Sequence, residues 1–278
     1  MKVTAIIPSL YEVDKDYLKL TVESLRETTK DWDIIVVTNG KTGPPKLDIK
    51  GVTNHFHVPK QGQCNAVNVG ATQAHADTDY LFISNSDMYY APDWKRALKF
   101  KYPVFSPNLI EPINNAGSAP PFRKFDGGYT LEEFKKDEVD EYVFDEFYEE
   151  RRDETGFNFP VFIRKDVWDT IGGYDVKFDP WGSNGDTDLQ TKINLAGITP
   201  MRLRDVLVYH FSNKSGTFDG THQAEWQQNW DYFNQKWGFN RDDLGSDVWY
   251  NKDTLPKDLK DSKYQPEWIN KFKEKESE

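Results

Sequence analysis

Asn85, Ser86 and Asp87 form the first group of residues whose types suit chemistry. They follow directly on the apolar run 80–83, which is typical of a buried strand. A carboxylate at the end of such a strand projects into a crevice of the sheet and suits a hard divalent cation. The simpler interpretation of an isolated Asn-x-Asp is an Asx turn that ends the strand, and the pattern alone favours that one.

A second group lies in a glycine-rich loop that begins at Trp181 and Gly182 and leads into a predicted helix with Asp186 and Asp188 in its first turn. Acidic residues at this position are commonly N-terminal caps. The helix dipole also favours the ionised carboxylate, so we expect Asp186 to be able to act as a general base at neutral pH. Trp181 is either a core residue or a flat platform for a sugar ring.

His210 is the third candidate, because it stands at the end of the last predicted strand. A lone histidine is more often structural than a metal ligand. A carboxylate and an imidazole from different strand ends could nevertheless share one cation.

The elements that would position these residues alternate between strand and helix in the first part of the chain. We predict strands at 3–8, 33–38, 55–58 and 80–83, with helices near 18–25 and over 63–76. This alternation predicts an α/β fold of βαβ units with a mostly parallel sheet. Ligands of such sheets bind at the carboxyl ends of the strands, which here are Pro8-Ser9, Thr38-Asn39 and Asn85 to Asp87.

The second part of the chain is less regular. Residues 107–125 are rich in Pro, Asn and Gly and are predicted to be irregular. Strands are expected at 159–163 and 201–210. Helices are expected at 166–171, at 186–196 and along the aromatic stripe from Trp226 to Trp237. The segment 126–154 holds nine of the eleven net negative charges, and we interpret it as a solvated insertion whose aromatic residues pack on the body.

Composition limits the function classes. The chain has 278 residues and a net charge of −11, which argues against a nucleic-acid-binding groove. Its single cysteine, Cys64, excludes an intrachain disulfide and a cysteine zinc cluster, so a reducing cytoplasm is the simplest compartment. No apolar run approaches the roughly 20 residues of a membrane span, and the first nine residues do not look like a signal peptide.

Taken in order, these pieces resemble glycosyltransferase family 2 and the related galactosyltransferase-like enzymes of the GT-A fold, over about residues 3–240. The matching pieces, in chain order, are Ile6-Ile7-Pro8-Ser9, Ile34-Ile35-Val36-Val37, Asn68-Val69-Gly70, Asn85-Ser86-Asp87, Ile171-Gly172-Gly173-Tyr174-Asp175 with Phe178, Trp181-Gly182 leading to Asp186-Thr187-Asp188-Leu189, His210 and Tyr232 to Gly238. The resemblance implies a three-layer GT-A domain over 1–215. It divides into a Rossmann-like nucleotide-sugar half at 1–105 and an acceptor half at 106–215, followed by a helical extension at 216–278.

The resemblance also assigns roles to residues. Asp87 and His210 would bind a divalent metal, Mn²⁺ or Mg²⁺, and Asp186 would be the general base of an inverting transfer. The nucleotide-sugar site would comprise Pro8, Ser9, Tyr11, Asn39, Gln63, Asn85, Ser86 and Asp87. The acceptor site would comprise Trp181, Gly182 and Asp188.

The sequence departs from the family pattern at four positions. Thr38 and Asn39 stand where the family often has Asp, and Asn85 stands in the first position of the Asp-x-Asp motif. Gly185 replaces the usual Glu before the base, and Gln63 replaces the Arg of galactosyltransferase-like members. These departures leave the base and sugar of the donor open.

The expected function is a metal-dependent glycosyltransferase, with a UDP-sugar as the favoured donor. The acceptor is open between a saccharide and a glycoconjugate, and a modified base in DNA is the least favoured candidate. One alternative is a non-catalytic sugar-binding protein on the same fold. A nucleotidyltransferase is a weaker alternative, because such enzymes normally carry a Gly-rich, basic phosphate loop where this chain has Pro8 to Glu12.

Overall fold

The structure is a computed structural model that describes residues 1–59, 62–99, 101–113, 122–146, 153–180, 183–214, 221–244 and 255. The strands are β1 (Val3–Ser9), β2 (Asp33–Asn39), β3 (Asn54–Val58), β4 (Tyr80–Ile83), β5 (Met88–Tyr89), β6 (Val104–Pro112), β7 (Arg123–Phe125), β8 (Asp153–Thr155), β9 (Val161–Arg164) and β10 (Met201–His210). The α-helices are α1 (Tyr11–Thr28), α2 (Gln63–Thr72), α3 (Lys136–Asp145), α4 (Lys165–Ile171), α5 (Gly185–Leu195) and α6 (Gln223–Trp237). Short 3₁₀ helices cover Pro92–Lys99, Val176–Phe178 and Arg241–Leu244.

The strands form one sheet in the order β3-β2-β1-β4-β9-β6-β10-β5, with β7 beside β6 and β8 beside β10. Strands β1 to β4 pair in parallel, whereas β9 joins β4 to β6 through two antiparallel pairings. The predicted α/β class with a mostly parallel sheet is therefore confirmed, and each antiparallel pairing of the described strands involves β9 or β10. No described helix is both long and apolar enough to cross a bilayer.

β1 is buried along its whole length because helices cover both faces of the sheet. Its odd-numbered apolar residues pack in one cluster with Leu18 and Val22 of α1, whereas Ile6 packs with Val67 of α2 on the other face. Gly70 permits this close approach, because a Cβ there would lie 2.5 Å from Cγ2 of Ile6. The Asn-Val-Gly motif of the sequence is thus in part a packing requirement.

The parallel register brings the candidate residues to one edge. Ser9 pairs with Thr38, and the chain leaves β4 at Ile83, next to the middle of β1. The antiparallel pairing of β5 with β10 then sets Met88 opposite His210. Asp87 and His210, which are 123 positions apart in the sequence, become neighbours through this register.

The prediction of an irregular segment over 107–125 is wrong for much of its length. β6 runs to Pro112 with all nine residues buried, and β7 follows at Arg123; residues 114–121 lie outside the described part. Pro107 lacks an N–H for the ladder, and the register of β10 shifts just where Pro107 and Asn108 pair with it. The bulge lets the strand continue through residues that ordinarily break one.

The acidic segment contains α3, whose Val139 and Val143 pack in a cluster with Ile110 of β6 and Tyr209 of β10. The packing expected of its aromatic residues is seen at Tyr142, which stacks on Phe125, whereas the expectation is wrong for Phe144, which is exposed. Residues 147–152 lie outside the described part. Helices α4 and α6 each end at a glycine in the left-handed region, with φ of 75° at Gly172 and 73° at Gly238. The predicted domain boundaries stay predictions.

Candidate active site

The metal end of the site is built on Asp87 and His210. Oδ1 of Asp87 lies 3.3 Å from Nε2 of His210, and Nδ1 of His210 lies 3.0 Å from Oε1 of Glu111. Glu111 is buried on β6, one residue before the end of that strand. The imidazole is thus held between two carboxylates, and a carboxylate that accepts Nδ1–H fixes the ring with Nε2 turned toward Asp87.

The charges at this end stabilise one another. Burial disfavours the charged form of both groups, but the attraction between Asp87 and His210 outweighs it and lowers the pKa of Asp87. For the same reason, with Glu111 contributing, the pKa of His210 is raised to about 10 against the effect of burial. Asp87 is therefore an anion across the physiological range.

The two side chains fit a two-ligand cation site. A cation with bonds of about 2.1 Å to adjacent ligands separates their donor atoms by about 3 Å, close to the observed separation of Asp87 and His210. Among the described residues, no group of three or more His, Cys, Asp or Glu side chains converges on a point where a metal could sit. Glu111 lies on the far side of the ring and orients a ligand without being one.

The predicted nucleotide edge is held together by Asp14, a residue that the sequence analysis did not single out. Its carboxylate accepts hydrogen bonds from the hydroxyls of Ser9 (2.6 Å) and Ser86 (2.5 Å) and from the backbone N–H of Leu10 (3.2 Å). Burial raises the pKa of Asp14, and the serine hydroxyls oppose that rise. Asp14 therefore ties the end of β1 to the loop that carries Asp87.

Asn39 joins the same edge to α2. Its side-chain N–H donates to the carbonyl of Ser9 (3.0 Å), and its side-chain oxygen accepts from the N–H of Gly62 (3.0 Å). The side-chain N–H and the side-chain oxygen of Asn39 thus each have a protein partner. Pro8 is buried beneath the edge, whereas Tyr11 and Asn85 are only partly buried.

The base end is built on Asp186, at the start of α5. Its Oδ1 accepts a 2.6 Å hydrogen bond from the hydroxyl of Tyr174, which also interacts with the side chain of Gln63. Burial raises the pKa of Asp186 to about 6, and the Tyr174 hydroxyl opposes the rise. The position of Asp186 in the first turn of a helix predicts that the dipole keeps it ionised. Desolvation shifts its pKa the other way, yet the anion still predominates at pH 7.

Two sequence motifs meet behind Asp186. The side chain of Asn68 donates to the carbonyl of Tyr174 (2.8 Å) and accepts from its N–H (2.9 Å). Asp179 accepts from the backbone N–H groups of Cys64 (3.1 Å) and Asn65 (2.9 Å), at the N-terminus of α2. The loop before α5 is therefore docked on α2, which places Asp186 and Gln63 side by side.

Gly185 is explained by packing. A Cβ at this position would lie 2.9 Å from Sγ of Cys64, a fully buried residue. The departure from the family pattern at Gly185 thus coincides with a close approach between α5 and α2.

Asp188 is turned away from Asp186. It is fully buried, and its Oδ1 accepts from the indole of Trp237 (2.9 Å) and lies 2.7 Å from the ammonium of Lys236. These contacts join α5 to α6. The acceptor role of Asp188 stays a prediction that this placement does not support, and Trp181 and Gly182, the other predicted acceptor residues, lie outside the described part of the chain.

Comparison with known proteins agrees with this architecture. Residues 4–100 match the sequence model of the glycosyl transferase family 2, so the resemblance to that family is confirmed for the first part of the chain. No curated protein sequence matches the chain.

Three solved structures with a similar fold are distant from this chain in sequence. The chain is similar to S. aureus TarS 1–349, with a TM-score of 0.52 at 12% identity, over 88% of this chain and 75% of that one. It is similar to the mannosyltransferase PcManGT from Pyrobaculum calidifontis in complex with GDP-Man and Mn²⁺ (TM-score 0.52, 14% identity, 84% of this chain and 64% of that one). It is also similar to GalNAc-T7 with UDP, GalNAc and Mn²⁺ (TM-score 0.51, 14% identity, 99% of this chain and 55% of that one).

These likenesses confirm the GT-A fold predicted from the sequence. The chain spans less than two thirds of the length of PcManGT and of GalNAc-T7.

Proposed function

We propose that this protein is a glycosyltransferase that moves a sugar from a nucleotide-diphosphate donor to an acceptor hydroxyl with inversion. The proposal depends above all on one observation, the pairing of Asp87 with His210 at the edge of the sheet, oriented by the buried Glu111. The family match over residues 4–100 and the fold shared with glycosyltransferases support it.

Asp87 and His210 would hold a divalent cation, Mn²⁺ or Mg²⁺, and two proteins of similar fold are bound to Mn²⁺ with a nucleotide or nucleotide sugar. When bound, such a cation supplies Lewis-acid stabilisation of the charge on the leaving diphosphate. Glu111 keeps the imidazole oriented, and Asp14 holds the loop that carries Asp87.

Asp186 would remove the proton of the acceptor hydroxyl as that oxygen attacks the anomeric carbon. Its pKa of about 6 suits this role, since a base with a pKa near the working pH combines ionisation with proton affinity. The Tyr174 hydroxyl stabilises the anion and orients one oxygen, which leaves the other oxygen of Asp186 to accept a proton.

A UDP-sugar is the favoured donor, and a saccharide or a glycoconjugate is the favoured acceptor. The side-chain amide of Asn39 already bonds to Ser9 and Gly62. The nucleobase of the donor would therefore be recognised by the remaining lone pair and N–H of that amide and by the backbone. The alternative is a non-catalytic sugar-binding protein, and the donor panel described next distinguishes it from a glycosyltransferase.

The test is a donor panel. UDP-, GDP-, dTDP- and CMP-sugars are incubated with the protein with and without Mn²⁺, and release of free nucleotide is recorded. We expect Mn²⁺-dependent release from one donor and none from the Asp87→Asn variant. Donor binding without release in the presence of candidate acceptors would favour the sugar-binding alternative, and the absence of any binding would refute the proposal.

A further inference from the structure

The chain that follows His210 folds around Asp87. Beyond the contact between the two side chains, the backbone N–H of Phe211 donates to the carbonyl of Asp87 (3.0 Å), and that of Lys214 donates to its Oδ2 (3.3 Å). Both oxygens of the carboxylate therefore have a partner in this five-residue segment. The segment 210–214 and Asp87 form one unit.

The turn that makes this possible has an unusual backbone. Ser212 and Asn213 have φ values of 62° and 54°, which lie in the left-handed region. Residues other than glycine seldom adopt this conformation, which costs on the order of 1–2 kcal/mol each. The turn returns the chain toward Asp87 and brings Lys214 beside the candidate cation site. Backbone strain of this kind is concentrated at functional sites.

The ammonium of Lys214 is held by aromatic rings. Its Nζ lies 3.1 Å from the ring centroid of Tyr129 and 5.7 Å from that of Tyr17. Within the described part of the chain, no carboxylate oxygen lies within ion-pair distance of this Nζ, in contrast to Lys124, which faces Glu111. A ring face attracts the cation but does not neutralise it, so the charge and its N–H donors remain available to an anion.

We infer that Lys214 binds the diphosphate of the donor and stabilises it as the leaving group. In the transfer, the bond between the anomeric carbon and the diphosphate oxygen breaks, and its electron pair stays on that oxygen. The acceptor oxygen forms the new bond, and its proton passes to Asp186. Negative charge thus grows on the diphosphate, where a fixed ammonium is worth more in the transition state than in the ground state. The inference rests on the proposed function and adds a catalytic residue to it.

The test compares Lys214→Met and Lys214→Arg with the control Lys30→Met. Methionine keeps the length of the side chain and the backbone N–H that binds Asp87, while Lys30 is an exposed lysine at the opposite edge of the sheet. Binding of UDP, GDP, dTDP and CDP, and of the matching monophosphates, is measured calorimetrically with and without Mn²⁺. Nucleotide release is measured in parallel, with the donor that the wild type uses.

We expect Lys214→Met to weaken binding of the preferred diphosphate about 10–100-fold, the value of a charged hydrogen bond, and to weaken the monophosphate less. Its kcat should fall as well, Lys214→Arg should recover most of both, and Lys30→Met should resemble the wild type. Affinity for Mn²⁺ alone should not fall in Lys214→Met, because the Lys214 side chain is not proposed to hold the cation. A purely structural role in the turn would instead weaken Mn²⁺ binding as well.

The outcomes are distinguishable. Wild-type turnover of a donor together with unchanged diphosphate affinity and kcat in Lys214→Met would overturn the inference and leave the proposed function standing. Equal losses of Mn²⁺ and diphosphate affinity would assign Lys214 a structural role only. A wild type that neither binds a nucleoside diphosphate nor uses a donor would overturn both proposals.

Discussion

Asp87, which follows strand β4, and Asp186, in the first turn of α5, are both buried aspartates, yet their pKa values move in opposite directions. Burial favours the neutral acid at both positions. At Asp87 the attraction to His210 outweighs burial, whereas at Asp186 the neutral hydroxyl of Tyr174 opposes burial without outweighing it. Burial acts in the same direction at both positions, so the charge of the neighbouring group decides the direction in which each carboxylate pKa moves.

The two ends also differ in how they are held. Asp87 is positioned by strand register and by the chain just after β10. Asp186 is positioned by side chains from three elements, through Asn68 of α2, Asp179 of the preceding loop and the contacts of Asp188 with α6. We therefore expect the position of Asp186 to depend on side chains of more elements than the position of Asp87 does.

The largest expected effect comes from removing the base. Asp186→Asn should lower kcat about 10²–10⁴-fold, the usual loss for a general base, while donor affinity is retained. Steady-state transfer is measured with the donor that the wild type uses in the donor panel, and Asp31→Asn, a change at an exposed residue, is the control. Full turnover by Asp186→Asn would assign the base to another residue.

The ion pairs that join α6 to Asp188 of α5 and to Asp175 are tested by Lys236→Met. Lys236 lies 2.7 Å from the fully buried Asp188 and 2.8 Å from Asp175, and its contact helps to lower the pKa of Asp175 to about 2 against burial. Removing one partner of a buried ion pair should lower the free energy of unfolding by about 3 kcal/mol. Urea denaturation measures this, with the exposed Lys19→Met as control.

The stabilisation from Asp175 also has a predicted pH dependence. Because its folded pKa lies below the unfolded value of about 3.9, its contribution is complete above that pH and is lost as the pH falls toward 2. Lys236→Met should flatten the decline of stability over this window. An unchanged decline would mean that Asp175 does not depend on Lys236.

The candidate metal end is tested through Glu111, which contacts His210 and lies 4.0 Å from the ammonium of Lys124. Glu111→Gln should weaken Mn²⁺ binding about 10–100-fold, because the imidazole loses the carboxylate that orients it. Titration with Mn²⁺ alone gives the affinity, and the exposed Glu27→Gln is the matched control. Unaltered Mn²⁺ affinity would remove Glu111 from the site.

The smallest predicted effect sharpens the electrostatic contrast. Wild-type kcat/KM should fall as the pH drops through about 6, because Asp186 must be ionised to accept a proton. Tyr174→Phe removes the hydrogen bond that lowers the pKa of Asp186, so the acid limb should move up by about 1 pH unit. Tyr80→Phe, which loses a hydroxyl contact with the carbonyl of Tyr102, should leave the profile in place. A shift to lower pH in Tyr174→Phe would contradict the assigned role of the hydroxyl.

Much of the first half of the fold could be predicted, because its strands are short apolar runs that must be buried and its helices carry apolar residues at helical spacing. β6 escaped prediction because Pro107, Asn108 and Pro112 are typical of loops, and only the bulge in β10 makes a strand possible there. Glu111 was missed for the same reason, since it lies on that strand, 99 positions from the histidine it orients.

The sequence by itself determined the βαβ order, the strand ends that carry chemistry, and Asp87, Asp186 and His210 as candidates, because apolar periodicity and local motifs are short-range properties. Only the tertiary structure decided which partners those side chains face and which way their pKa values shift. Two residues along a helix turn a side chain by about 200°, so Asp186 faces Tyr174 while Asp188 faces α6. The pKa of each carboxylate then follows from neighbours that lie far away in the chain, which no local pattern records.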